Sequence, residues 1–235
     1  SGGSRSYVEA ISAPWRDRVR LRAPVRRIER RPDGVRIEAG GCEGEDFDEV
    51  VIATHSDQAL AMLADPSRAE REVLGAIPCQ ANEAVLHTDV SLMPRRRAVW
   101  SSWNFHRPEE PPRASTVTYW MNNLQRLRTD RDFFVTLNRG EEIDPGKVIR
   151  RISYDHPVYT AAGVAAQARH AEISNAGRRT HYCGAYWGWG FHEDGVVSAL
   201  RACQGIPSAA ARGDSDLLRP IARTNPDTEP AALAA

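Results

Sequence analysis

The sequence predicts an α/β fold that combines a parallel strand layer with an antiparallel or mixed sheet. Residues 48–54 (DEVVIAT) form a continuous β-branched run, which is typical of a strand buried on both faces of a parallel sheet. Five short segments between residues 84 and 154 alternate in polarity and are separated by polar, proline-containing loops, which indicates antiparallel strands. Residues 180–203 have the pattern of a strand, a loop rich in glycine and aromatic residues, and a helix beginning at Gly195.

The first elements along the chain are predicted to form a β-hairpin. Residues 25–31 alternate in polarity, residues 32–34 (Pro-Asp-Gly) give a strong turn signal, and residues 35–38 return as a second strand. After the buried strand at 48–54, Ser56 is a candidate N-cap for a helix with an apolar face. A strand that leads into a helix here indicates one edge of an α/β layer.

Composition excludes several classes of partner. The 235 residues carry a formal net charge of +0, so no global field attracts nucleic acid, and the arginines of residues 16–31 alternate with apolar residues as on a solvated hairpin face. No apolar run is long enough to span a bilayer. The four cysteines show neither CxxC pairs nor metal-ligand spacing, so we expect reduced thiols, no metal site and a cytoplasmic location.

The most informative segment for chemistry is residues 182–200, YCGAYWGWGFHEDGVVSAL. Its glycines allow the backbone to approach a ligand closely, and free N–H groups at a helix N-terminus can face an electron-rich ring edge or a phosphate. The four aromatic side chains of the loop could form a wall against a flat cofactor. They could equally pack into a core, and the residues alone do not separate these two interpretations.

This segment resembles the C-terminal flavin-contacting motif of the amine oxidase, protoporphyrinogen oxidase and carotenoid desaturase group. The resemblance implies that Gly195 and Val196 place backbone N–H groups near the N1/O2 edge of the flavin. It assigns Asp194 to the acidic position before that glycine, and places Phe191 and His192 where the group often sets an aromatic residue beside the ring.

Two further correspondences support the resemblance, which covers residues 1–205. One position departs from the group, because Tyr186 stands where many members carry an acidic residue that binds the FAD ribityl or phosphate region. Val25 matches a valine that contacts adenine through its backbone. Residues 53–60, 87–89, 93–95 and 100–104 resemble one subgroup, the predicted NAD/FAD-binding oxidoreductases that are often associated with fatty-acid-modifying methyltransferases and cyclopropane synthases.

The resemblance implies the C-terminal part of a two-domain FAD/NAD(P)-binding flavoprotein. Residues 1–66 would supply a hairpin and parallel strand of the FAD domain, and residues 67–176 the substrate domain. Residues 177–205 would supply the last FAD-domain strand and the flavin-contacting helix, and residues 206–235 a disordered tail. The group begins with a GxGxxG motif that this sequence does not contain, so we expect an N-terminally truncated member.

The implied function is a FAD-dependent oxidoreductase, amine oxidase-like or desaturase-like, that transfers hydride from substrate to flavin. No catalytic acid or base is evident, the expected substrate is an apolar or lipid-like small molecule, and the oligomeric state stays open. The alternative is a non-catalytic lipid- or protein-binding remnant that no longer binds FAD. A hydrolase set of His87, Asp89 and Ser101 or Ser102 is disfavoured because no G-x-S-x-G elbow exists.

Overall fold

The computed structural model describes residues 4–40, 43–106 and 115–206. Its contacts divide the chain into two compact units, of which the first runs to Ala76 and resumes at Ala165, and the second comprises Ile77–Val164. The tail prediction lies outside the described residues from position 207 on. Among the described residues, no helix has the length and apolar character needed to cross a membrane.

The first unit contains the predicted hairpin as part of a three-stranded antiparallel sheet in the order β1-β2-β3. The turn closes where the Arg31 N–H donates to the Gly34 carbonyl at 2.8 Å. The elements of this unit are α1 (Ser4–Ser12), β1 (Val25–Arg30), β2 (Val35–Ala39), β3 (Glu45–Phe47), β4 (Val50–Ile52), α2 (Ser56–Met62) and α3 (Arg68–Gly75), and, from α5 (Ala161–Gln167) on, α6 (His170–Ile173), β10 (Thr180–Tyr182) and α7 (His192–Gln204).

The β-branched run forms β4, which pairs in parallel with β10 as predicted for a parallel layer. Ile52 lies opposite Tyr182, and the Cys183 N–H donates to the Ile52 carbonyl at 3.0 Å. Val51 is 41% exposed, so the expectation of burial on both faces is wrong for the described part of this layer. The N-cap of α2 is His55 rather than Ser56, because Ser56 is already helical and buried.

A buried ion pair joins the hairpin, α3 and β10. Ser67 and Glu70 form a capping box at the start of α3, and the Glu70 carboxylate pairs with Arg30 and accepts a hydrogen bond of 2.8 Å from the Tyr182 hydroxyl. Burial acts to raise the pKa of Glu70, but these hydrogen bonds outweigh burial and lower the pKa to about 2. Glu70 therefore stays ionised within the unit.

The second unit is built on a five-stranded antiparallel sheet in the order β6-β7-β8-β5-β9, which confirms the predicted antiparallel layer. A short helix, α4, follows β7 directly. The bounds are β5 (Cys79–His87), β6 (Trp103–Phe105), β7 (Val117–Trp120), α4 (Met121–Leu124), β8 (Phe134–Leu137) and β9 (Val148–Pro157).

One face of this sheet is packed and contains a chain of buried polar groups. Val85 and Phe134 are fully buried there. His87 Nε2 lies 2.7 Å from Thr136 Oγ1, which lies 2.9 Å from Thr118 Oγ1. Desolvation lowers the pKa of His87, and its Nδ1 accepts from the Asp89 N–H, so the imidazole is neutral with its proton on Nε2.

Asp89 stabilises the segment after β5 by accepting hydrogen bonds on both carboxylate oxygens. Oδ2 accepts from the Asp144 N–H at 2.9 Å, and Oδ1 accepts from the Ser91 N–H and from Lys147 Nζ, each at 3.1 Å. Ser101 instead donates to the Trp103 carbonyl at 2.7 Å. His87 and Asp89 thus hold backbone and threonine groups, and the disfavoured hydrolase set is not assembled.

Candidate functional site

The candidate site lies at the carboxyl edge of the parallel pair β4–β10 in the first unit. Because the strands are parallel, residues 53–54 and 183–184 leave the sheet at the same edge, which is where open α/β sheets bind ligands. A cavity of about 670 Å³ opens beside this edge and is lined by β1, β4 and α2 residues, among them Val25, Ile52 and Thr54. The structure thus places Val25 at the cavity wall.

Glycines shape the loop that follows β10. Gly184 has a φ of 151°, and a Cβ at this position would lie 2.6 Å from Tyr186 Cε1, so both conformation and space require glycine. A Cβ at Gly188 would collide with the Asp194 carboxyl group. The second glycine therefore allows the Asp194 side chain to reach back against the loop.

Gln167 and Asp194 hold the loop from two sides. Gln167 Nε2 donates to the carbonyls of Tyr186 and Gly188, at 2.8 and 2.7 Å. Asp194 Oδ2 accepts from the N–H groups of Trp189 and Phe191, at 2.9 and 3.0 Å. The loop backbone is fixed by side chains because it has no strand partner, and no local sequence signal points to Gln167.

The aromatic side chains of the loop divide into a buried and an exposed pair. Tyr186 and Trp187 are buried, and Trp187 packs edge-on against His170 with ring centroids 4.5 Å apart. Trp189 and Phe191 are 62% and 64% exposed, although their backbone N–H groups are held by Asp194. The core-packing interpretation therefore applies to the buried pair, and a wall against a cofactor stays a prediction.

Helix α7 begins at His192, so the prediction that it begins at Gly195 is wrong by three residues. The reason is that Asp194 accepts from the Phe191 N–H and draws residues 192–194 into the first turn. The Gly195 N–H donates to the Phe191 carbonyl at 3.2 Å. By helix geometry, the N–H groups free for a ligand belong to residues 192–194, and His192 and Val196 lie exposed beside them.

Two buried polar atoms test whether this edge suits a bound cofactor. Within residues 4–40, 43–106 and 115–206, neither His55 Nδ1, which follows β4, nor Trp187 Nε1, which follows β10, has a hydrogen-bond partner. Buried polar atoms without partners are rare and call for a specific explanation. With the adjacent cavity and the free helix N–H groups, these atoms fit a planar, polar cofactor.

Replacing Gln167 by Ala is expected to release the loop. Two hydrogen bonds to buried carbonyls are lost, so the free energy of unfolding should fall by about 1–2 kcal/mol. Amide hydrogen exchange of residues 186–191 should rise at least about tenfold, measured by mass spectrometry. Gln204→Ala, at an exposed position in the last turn of α7, is the matched control. Equal exchange in the two variants would contradict the conclusion that Gln167 holds the loop.

A parallel strand edge, a clamped glycine-rich loop and an open helix N-terminus are features with which α/β proteins bind nucleotide cofactors. The family model for flavin-containing amine oxidoreductases matches residues 1–207. The chain belongs to this family. The predicted family and its FAD cofactor are thereby confirmed.

Solved structures with the same fold come from several oxidases and an isomerase. Putrescine oxidase bound to putrescine is 14% identical to this chain, with a TM-score of 0.57. The match covers 86% of this chain and 52% of the putrescine oxidase chain. The CLA-producing fatty acid isomerase from P. acnes is 15% identical, with a TM-score of 0.60, and the match covers 86% of this chain and 51% of the isomerase. Cyclohexylamine oxidase from Brevibacterium oxydans is 14% identical, with a TM-score of 0.55, and the match covers 92% of this chain and 53% of the oxidase.

The chain therefore spans about half the length of the solved structures that it matches. A comparison with curated proteins finds no match. The predicted α/β fold class is confirmed. The domain boundaries and the cytoplasmic location stay predictions. So do the cofactor contacts of six residues, which are Val25, Tyr186, His192, Asp194, Gly195 and Val196.

Proposed function

We propose that this chain carries the flavin-facing half of an oxidoreductase that removes hydride from a C–N or C–C bond of its substrate. The observation that carries the proposal is the loop at residues 184–191, which Gln167 and Asp194 hold at the carboxyl edge of β4–β10. Such side-chain clamping of an exposed aromatic loop is expected where a ligand must meet a preorganised surface.

The residues at this edge have separate roles in the proposed site. The wall around Val25 receives the adenine end of FAD, and the free N–H groups at the start of α7, beside Gly195 and Val196, face the electron-rich edge of the flavin ring. Tyr186 and Trp187 support the ring from the core, and His192 lies exposed at its border. Bound FAD would supply the hydride acceptor and pass the electrons to oxygen or another acceptor.

The role of Asp194 in this proposal is to position the loop. Its Oδ2 already accepts two backbone N–H groups, so Asp194 acts on the cofactor through the loop that it holds. The sequence resemblance assigned Asp194 to direct cofactor contact. The contacts of its side chain favour an indirect role.

A visible spectrum after incubation with FAD and desalting tests the proposal. We expect the two-band flavin spectrum in the near-UV and blue to remain with the protein. Trp187→Phe keeps the ring but removes the buried Nε1 donor, and should weaken FAD binding by up to about tenfold. Trp15→Phe, at a half-exposed position, should bind FAD like the wild type.

A colourless wild-type protein would contradict flavin binding by this chain. It would favour the non-catalytic alternative, in which the chain binds an apolar ligand without FAD. If FAD binds but Trp187→Phe and Trp15→Phe retain it equally, the flavin does not use the indole donor, and this assignment within the site is wrong.

A further inference from the structure

An apolar groove of about 470 Å³ runs across the second face of the five-stranded sheet, within the size range of small-molecule sites. This face is opposite to the one that holds His87 and Thr136, because neighbouring residues of a strand point to opposite faces. Its walls come from β5, β8, β9 and the residues around α4. Six of the lining side chains are Ala84, Leu86, Met121, Phe133, Val135 and Ile152.

Arg150 lies on the same face as the groove. In the antiparallel pair β5–β9, Ile152 is opposite Ala84 and Arg150 is opposite Leu86, and directly opposed residues share a face. Arg150 is exposed and makes no ion pair or hydrogen bond with the described part of the chain. Its neighbour Arg151 differs, because it pairs with Glu83 at 2.7 Å on the other face.

The groove face of β5 and β9 carries no carboxylate. The register places four residues of each strand on this face. They are Gln80, Asn82, Ala84 and Leu86 on β5 and Arg150, Ile152, Tyr154 and His156 on β9. His156 Nδ1 lies 3.1 Å from the Asn82 amide nitrogen, which donates to it, so the imidazole proton is on Nε2.

The charges of this face discriminate between classes of amphipathic ligand. An ammonium group on an apolar chain would find a guanidinium and no counter-ion on this part of the face. A carboxylate on the same chain would find the Arg150 guanidinium, which has no partner among the described residues and can donate two parallel hydrogen bonds to it. The face therefore favours an apolar acid over an apolar amine.

We infer that the groove binds the hydrocarbon chain of a free long-chain carboxylic acid, with the carboxylate paired to Arg150. The inference names a substrate class for the proposed oxidoreductase, and in that respect it deepens the proposed function. The apolar walls bury the chain, and Arg150 fixes its direction along the sheet.

Equilibrium binding of three ligands with the same chain length tests this inference without turnover. Isothermal titration of the full chain would compare dodecanoate and dodecylamine, each below its micelle concentration, with dodecanol below its solubility limit. We expect dodecanoate to bind about tenfold more tightly than dodecanol, and dodecylamine to bind more weakly than both. The advantage of dodecanoate should decrease as the salt concentration rises.

Arg150→Gln should remove the advantage of dodecanoate and leave dodecanol binding unchanged. Arg96→Gln makes the same charge change at an exposed position outside the groove, and should bind all three ligands like the wild type. Leu86→Gln places a polar group in the groove wall and should weaken dodecanoate and dodecanol alike. A thermal melt of each variant confirms that it is folded.

The inference is overturned if wild-type protein binds dodecanoate and dodecanol equally, if it prefers dodecylamine, or if Arg150→Gln and Arg96→Gln have the same effect. These outcomes are independent of the flavin, since no step in the titration requires it. A colourless protein that binds dodecanoate through Arg150 would contradict the proposed oxidoreductase function and support carboxylate binding in the groove. A protein that binds FAD but shows no preference for dodecanoate would support the proposed function and contradict the inference about the groove.

Discussion

Replacing Glu70 by Gln is expected to lower the free energy of unfolding of the protein by about 3 kcal/mol. Glu70 is fully buried and the side chain of Arg30 is 7% exposed, so removing the carboxylate takes the buried partner from a guanidinium in the interior and leaves it the half-exposed carboxylate of Asp65. The Gln side chain also has to match a hydroxyl donor from Tyr182 and a backbone N–H from Ser67 with a single oxygen. Chemical denaturation followed by tryptophan fluorescence measures the change.

The same substitution is expected to alter the acid sensitivity of the protein. The folded-state pKa of Glu70 is about 2, below its ordinary value of 4.5, so the carboxylate stabilises the folded state fully above pH 4.5. This contribution, about 3 kcal/mol at ~1.4 kcal/mol per pKa unit, is lost as the pH falls from 4.5 towards 2. The difference in free energy of unfolding between the wild type and Glu70→Gln should therefore decrease over this pH interval.

Glu72→Gln is the matched control for both measurements. Glu72 lies half a turn away in α3, and its side chain is 40% exposed in pairs with Arg68 and Arg169. Solvent screens such pairs, so we expect a small loss of stability. The buried-pair account fails if Glu70→Gln and Glu72→Gln destabilise the protein equally, or if the difference between wild type and Glu70→Gln does not change with pH.

Replacing Asp89 by Asn is expected to destabilise the second unit by about 2–3 kcal/mol. The carboxylate accepts from two backbone N–H groups and from Lys147 Nζ, whereas an amide has one acceptor oxygen and brings its own NH₂ group against a donor. Burial acts to raise the pKa of Asp89, but the hydrogen bonds from Asp144, Ser91 and Lys147 outweigh it and hold the pKa well below its usual range. The folded state therefore depends on the ionised form.

Hydrogen exchange and thermal melting measure this effect, with Asp130→Asn as the control at an exposed position of the same unit. Exchange should increase at residues 91 and 144, whose N–H groups lose their acceptors. Unchanged protection at both amides in Asp89→Asn would show that the carboxylate does not hold this segment. Lys147→Met should cost less than Asp89→Asn, because Lys147 is 44% exposed.

Local sequence predicted the elements whose cause is local. The Pro32–Gly34 turn closes the hairpin because its residues favour that backbone conformation. The β-branched run became β4, and the alternating segments became the antiparallel sheet. The order of glycine and aromatic residues in 182–200 was sufficient to indicate the flavin family, which the family model confirmed.

Errors in the sequence predictions arose where the local structure depends on a side chain that is distant in sequence or that bonds to an earlier backbone group. Helix α7 begins before Gly195 because Asp194 reaches back to the Phe191 N–H, a contact that glycine positions alone do not reveal. Gln167 was missed because it lies about twenty residues before the carbonyls that it binds, in a segment that reads as an ordinary alanine-rich helix. Glu70 likewise looks like a surface helix residue until Arg30 and Tyr182 surround it.

The sequence by itself determined the family of this protein and its strand and helix types, because these depend on residue order over short distances. Tertiary structure alone decided which polar groups are buried together, which loop aromatics remain exposed, and that Arg150 lies beside an apolar groove without an ion pair to any described residue. The physical reason is that burial and pairing energies depend on residues far apart in sequence. Their proximity exists only after the chain has folded.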